Sequence, residues 1–351
     1  MRFKELIIEN QQERLNFILD KMQENPELVN KIFRLIKSDL AKAQKQDPES
    51  MIQPKFTGKE RDYTYKGVLK NFVNALNNTP GDYNDIEEFL KSYGKVSYID
   101  VNSLMKDGYN SWDNWLKGQG NVQLDFIKKL YDNLFDITLN ISGSNRGPGE
   151  VGLALLSPDI KFATVGDLDV NGVEVEVKGE ASSGGGRLKN SSTDFGVPNL
   201  NKVYQQFNIA QQDQPRELPV GNAKTKRDNH FHEIAMYLER INAGAGTAYI
   251  KELFFATFKS GDKELMNRIT NNWKNMNRLD VSSLAAKISY SNYANILKAK
   301  GFTKFLFLKS LGRKSLAFDV DDYEKHLDKF KIGSLAWTDK QNGPAVQVSM
   351  L

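Results

Sequence analysis

The sequence contains no cysteine and only three histidines among its 351 residues. Without cysteine there are no disulfides, no zinc–thiolate sites and no thiol nucleophile, and the composition fits a reducing compartment. So few histidines disfavour a histidine-rich metal site or a Ser-His-Asp triad. The one histidine-dense stretch, His230-Phe231-His232-Glu233, lacks the i, i+4 spacing of zinc proteases and reads as a helix start with surface histidines. Walker-type Gly-Lys-Ser/Thr loops and a strand-linked GxGxxG are missing too, so nothing supports nucleotide-driven activity. No apolar run is long enough to span a bilayer. The opening MRFKELIIENQQERL is charged throughout and lacks the apolar centre of a signal peptide. The expected location is cytoplasmic, with no membrane partner. A large excess of one charge is also lacking: the net charge of +4 permits an anionic partner such as nucleic acid without requiring one.

What is present is an ordinary globular composition, 40% apolar and 26% charged, in a chain long enough for two or three units. Residues 1–136 read as mainly helical. Leu6, Leu15, Ile18 and Leu19 form one apolar stripe, Pro26 breaks it, and Leu28, Ile32, Phe33 and Ile36 resume it. A polar stretch, 47–61, reads as a linker or a long loop. Helical segments follow at 68–76, 86–93 and 122–135, with a short strand expected at 95–100. This region suits either a DNA-binding, winged-helix-like unit or simply a helical packing module. Tyr63, Tyr65, Trp112 and Trp115 read as core or interface aromatics.

Residues 137–320 change character. Strands are expected at 137–141, 162–170, 173–179, 305–308 and 316–320, and helices at 199–211, 231–243, 263–276 and 282–300. The last part, 321–351, holds a helix and a second Asn-Gly turn that closes another hairpin. Alternating strands and helices indicate an α/β core with helical additions.

Chemistry concentrates at Asn171-Gly172. Two alternating runs flank this pair, the strongest short-range hairpin signal, because both central turn positions need positive φ. Counting outward, Val170 faces Val173, Asp169 faces Glu174, Leu168 faces Val175 and Asp167 faces Glu176. Period-two alternation then places Asp167, Asp169, Glu174, Glu176 and Lys178 on one face. Leu168, Val170, Val173, Val175 and Val177 take the other, core-facing side. Directly opposed carboxylates, with Cβ atoms about 4.5–5.5 Å apart, repel unless compensated. Deep in a sheet they make a site for a hard divalent cation. Lys178, two residues along the same face, is placed to orient a water or offset charge on a phosphate oxygen.

Glu150, after Gly147-Pro148-Gly149, opens a short apolar segment and supplies a third carboxylate. The glycine-rich loop 184–189 carries Arg187 and Lys189, with glycines that let backbone approach a phosphate. Arg146, in the SGSNRGPG loop, joins them as an expected nucleic-acid contact.

The series Glu150, Gly166-Asp167, Glu176-Val177-Lys178 resembles the signature of the PD-(D/E)xK nuclease superfamily, the restriction-endonuclease-like fold. The resemblance covers roughly residues 137–210, and Gly166 stands where proline often precedes the aspartate. It implies an αβββαβ core flanked by the N-terminal helical region and C-terminal α/β elements. It further implies Mg²⁺-dependent hydrolysis of DNA phosphodiesters, most readily as an endonuclease, with Mn²⁺ able to substitute. Glu150, Asp167 and Glu176 become metal ligands and Lys178 the charged residue near water and scissile phosphate. DNA is the expected partner, with self-association left open. Two other readings compete: a non-catalytic DNA-binding or assembly protein with a degenerate acidic hairpin, and a hydrolase that uses paired carboxylates as acid and base. Lys298, Lys300, Lys304, Lys309, Arg313 and Lys314 make the C-terminal region locally basic, which suits a solvated surface or phosphate contacts.

Overall fold

A computed structural model describes residues 3–25, 65–141, 144–163, 166–180, 186–189, 231–336 and 345–351. The expected helices at 28–36 and 199–211, the linker at 47–61 and the Asn342-Gly343 turn lie outside the described residues. The chain is mixed α/β and divides into two compact units, residues 1–184 with 302–319 and residues 185–301 with 320–351. This division does not coincide with boundaries after residues 136 and 320. The reason is physical: the N-terminal helices share one hydrophobic core with the sheet, and two later strands return to complete it.

In the first unit, α1 (Phe3–Glu24) ends just before Pro26, and α2 (Tyr65–Asn78) and α3 (Tyr83–Ser92) follow. Asp82 starts α3 through a reciprocal cap with Asp85. The expected strand at 95–100 is instead a run of turn and bends with one bridge, Ile99 to Leu116. It ends because the Asp100 carboxylate accepts from the Ser103 N–H and caps the single-turn helix α4 (Val101–Leu104). Next come β1 (Gly108–Ser111), α5 (Trp112–Trp115) and α6 (Leu124–Phe135). Trp112 and Trp115 are fully buried and tied by their indole N–H groups to the Lys314 carbonyl and the Ser315 hydroxyl. A two-stranded ribbon, β2 (Leu139–Ile141) with β3 (Ser144–Arg146), leads to α7 (Glu150–Leu156).

The expected strand at 162–170 is two strands, β4 (Ile160–Phe162) and β5 (Leu168–Val170), paired antiparallel so that the chain doubles back between them. β5 then pairs antiparallel with β6 (Val173–Glu180). β8 (Lys304–Lys309) lies parallel to β6, and β9 (Lys314–Asp319) antiparallel to β8. The resulting six-stranded mixed sheet runs β1-β9-β8-β6-β5-β4. Leu168, Val170, Val175, Val177, Leu306, Leu308 and Ala317 pack with Phe72, Phe89, Leu130, Leu134, Val151 and Leu155 in one cluster. Each buried valine, leucine or phenylalanine among them contributes about 1.5–3 kcal/mol. The N-terminal helices therefore act as packing elements of the sheet.

The second unit holds β7 (Gly186–Lys189), the helices α8 (Phe231–Ile241), α9 (Ala245–Thr257), α10 (Lys263–Asn272) and α11 (Arg278–Ala299), and strands β10 (Phe330–Ala336) and β11 (Ala345–Met350). Its antiparallel sheet has the order β10-β11-β7, so the expected C-terminal hairpin gains a third strand from residues 186–189. A 3₁₀ stretch occupies 320–329 where the C-terminal helix was expected. His232 lies against Trp273, its Nε2 3.2 Å from the Trp273 carbonyl, in a packing role. Among the described residues, no helix is long and apolar enough to cross a membrane.

Candidate functional site

The hairpin turns at Asn171 (φ 53°) and Gly172 (φ 83°), the positive values that its turn type demands. Asp169 secures it, with Oδ1 accepting from the Gly172 N–H at 2.6 Å. The register is the one counted from the sequence: Val170 with Val173, Asp169 with Glu174, Leu168 with Val175. Leu168, Val170, Val175 and Val177 are buried, whereas Val173 is 37% exposed because it stands at the turn, beyond the packed part of the sheet.

The ladder stops at Leu168, one residue short of a direct pairing between Asp167 and Glu176. At 166–167 the backbone leaves the strand, and Arg146 holds it there by donating to the carbonyls of Gly166 (3.1 Å) and Asp167 (2.5 Å). Asp167 instead reaches across with Oδ2, which accepts from the Val177 N–H at 2.9 Å. The two carboxylates meet through Lys178. Its Nζ donates to Glu176 Oε1 in a close ion pair, lies 3.4 Å from Asp167 Oδ2, and donates to the Val177 carbonyl at 3.0 Å. These groups are largely withdrawn from water: Glu176 is 6% exposed.

Glu150 is buried, at 4% exposed. Its position is set by close backbone packing, since a Cβ on Gly179 of β6 would come within 2.0 Å of the Pro148 carbonyl oxygen. Only glycine at 179 lets the 147–149 turn lie against the strand that carries Glu176 and Lys178. Glu150 Oε1 accepts from the Gly147 N–H at 2.8 Å, and Oε2 has no hydrogen-bond partner. Burial pushes this carboxyl well above the usual carboxylate range, and the neighbouring Asp167 charge pushes the same way. Lys178, the Gly147 N–H and Arg146 oppose the shift. An orphaned buried oxygen beside a second carboxylate is an electrostatic deficit that a cation would relieve.

Arg146 is buried, its guanidinium 4.7 Å from the Phe162 ring centroid and 4.0 Å from Asp167 Oδ1. Its charge is thus directed at the backbone and carboxylate of residue 167. Arg187 and Lys189 stand on β7, in the second unit. The structure thus joins Asp167 and Glu176 through Lys178, sets Glu150 within electrostatic reach of Asp167 and Lys178, and adds three groups the sequence did not single out for this place: the Val177 N–H, the Phe162 ring and Gly179. Of these, Gly179 had a visible signal, a lone glycine inside a strand pattern.

Much of the basic C-terminal stretch is spent on ion pairs. Lys298 pairs with Asp321, Lys304 with Asp107 and Asp319, Lys309 with Glu180, and Arg313 with Asp132.

The donor set of Glu150, Asp167 and Glu176 is carboxylate oxygen alone, the ligand type of Mg²⁺. Among the described residues, no group of three or more histidine, aspartate or glutamate side chains stands converged to hold a metal ion. At this site the Asp167 and Glu176 oxygens are turned onto Lys178. Compared with known proteins, the chain matches no family model, no curated protein and no solved structure.

Proposed function

We propose that this chain is a Mg²⁺-dependent nuclease that hydrolyses DNA phosphodiesters, acting as an endonuclease. One observation carries the reading: a buried Glu150 with an unpartnered oxygen stands beside Asp167 and Lys178, on elements in the order helix, three antiparallel strands, then a strand parallel to the third. A helix followed by three strands and a later fourth strand is compatible with the αβββαβ order that the PD-(D/E)xK resemblance implies, and supports the reading on that ground. Asp167 and Glu176 share Lys178, and Glu150 lies within electrostatic reach of Asp167 and Lys178, which supports the reading.

Glu150, Asp167 and Glu176 would hold the ion, with Mn²⁺ able to replace Mg²⁺. When bound, it supplies Lewis-acid charge at the phosphate and acidifies a water. Lys178 places an ammonium group where charge grows on the phosphate oxygens. Arg146 fixes the backbone that bears Asp167, and the Val177 N–H fixes the Asp167 carboxylate. Arg187 and Lys189 are proposed to contact the DNA backbone, on the strength of their charge and the glycines before them.

The test is cleavage of supercoiled plasmid by wild type, Glu150→Gln and Lys178→Ala, in Mg²⁺ and in EDTA. Nicked or linear DNA is expected only from wild type with Mg²⁺, with each variant slowed at least about a hundredfold. Equal cleavage by all three proteins, or none by wild type with either ion, overturns the assignment.

A further inference from the structure

Lys178 occupies the carboxylates that the reaction needs free. Its ammonium has three protons, and all three have acceptors: Glu176 Oε1, Asp167 Oδ2 and the Val177 carbonyl. An ammonium so engaged has no proton left for a water or a phosphate oxygen. The same contacts turn the Asp167 and Glu176 carboxylates inward.

Resting on the nuclease reading above, we infer that Lys178 is a resident counter-ion that a divalent cation must displace, so that loading the site and releasing the lysine toward substrate are one event. Asp167 and Glu176 have a shared cation whether the metal is present or not. In the metal-free chain it is Lys178, on a long unbranched stem that swings without moving the strand. A divalent ion at the same oxygens repels the ammonium and takes its acceptors. Arg146, the other cation here, differs in kind. It is hydrogen-bonded to the backbone at Gly166 and Asp167 and stacked on Phe162, so it stays in place through the exchange. The site therefore has one fixed positive group and one exchangeable one. Two linked states follow, Lys178 bound to carboxylates or Lys178 free, and the ion selects the second.

The consequence separates binding from cleavage. Lys178→Met keeps the stem and removes the competitor, so it is expected to bind Mn²⁺ about tenfold more tightly by titration calorimetry while losing cleavage. Loss of the ammonium leaves neighbouring carboxylates uncompensated and destabilises the metal-free fold. A second measurement therefore uses the wild-type chain without DNA. Brief acetylation with acetic anhydride, read by peptide mass spectrometry, reports Lys178 reactivity in Mg²⁺ and in EDTA. A several-fold rise at Lys178 on adding Mg²⁺, with unpaired surface lysines unchanged, supports the exchange. Wild type that binds Mn²⁺ and cleaves DNA, but shows unchanged Lys178 acetylation and a methionine variant binding no more tightly, overturns the exchange and leaves the nuclease reading standing. Wild type that neither binds Mn²⁺ nor cleaves overturns both.

Discussion

Removing the charge of Glu150 is expected to stabilise the metal-free protein, and only above the pH at which a glutamate normally ionises. The carboxyl is buried, one oxygen lacks a partner, and both burial and Asp167 hold its proton affinity well above the ordinary value. Between the unfolded pKa and the raised folded one, the folded chain keeps a proton that the unfolded chain releases. Stability therefore falls as pH rises through that window. Glu150→Gln keeps the acceptor for the Gly147 N–H, replaces the orphan oxygen with an amide, and ends the repulsion from Asp167. Each pH unit over which the folded chain retains that proton costs about 1.4 kcal/mol, so a gain of about 1–3 kcal/mol is expected at pH 8 in EDTA. For a unit of this size that is a rise of about 2–4 °C in Tm per kcal/mol. At pH 4 the glutamate is protonated in both states and the difference shrinks toward zero. Urea denaturation of both proteins from pH 4 to 8.5 measures it, since every other titrating group is common to the two. A variant less stable than wild type at pH 8, or a difference that does not change with pH, would falsify this account of the site. Adding Mg²⁺ should reverse the order, raising the Tm of wild type and leaving that of the glutamine variant unmoved.

Two further substitutions probe the scaffold. Gly179→Ala drives a methyl into the Pro148 carbonyl, a backbone atom that cannot swing aside, so a loss of roughly 3 kcal/mol in urea is expected together with loss of cleavage. Gly166→Ala places its Cβ 2.8 Å from the Phe302 ring, costing about 1–3 kcal/mol. Because that neighbour is a side chain, combining it with Phe302→Leu should cost less than the sum of the two single changes, and strict additivity would show that the ring is not the obstacle.

The crowding at Gly166 also leaves no room for a larger residue before Asp167, proline included. The hairpin itself was legible because its rule is local. Asn171-Gly172 sets the turn, the turn sets the register, and alternation does the rest. What escaped was set by distant partners. Residues 162–170 alternate like one strand, yet the chain doubles back inside that run, and Arg146 captures the carbonyls where it leaves β5. Residues 95–100 alternate too, but Tyr98 spends its backbone N–H on Leu156 and its carbonyl on Lys117, and Asp100 begins a helix. Helix α9 has apolar residues around most of its circumference, so no stripe announced it. Lys178 was placed on the correct face, but counting could not show that its ammonium would close over its own neighbours, because rotamers are settled by packing and charge. The division into units was invisible for a related reason: no local signal tells β6 that its partner is β8.

That pairing has a consequence for how the protein comes into being. During synthesis β6 emerges with β5 on one side and nothing on the other, and its second neighbour is not made until residues 185–301 have left the ribosome. The strand that carries Glu176 and Lys178 is thus a bare edge while residues 181–303 are added, open to pairing with the wrong chain. A nascent product ending before residue 302 carries Glu150, Asp167, Glu176 and Lys178 but lacks β8 and β9, so the strand that bears two of them has no second neighbour to hold it.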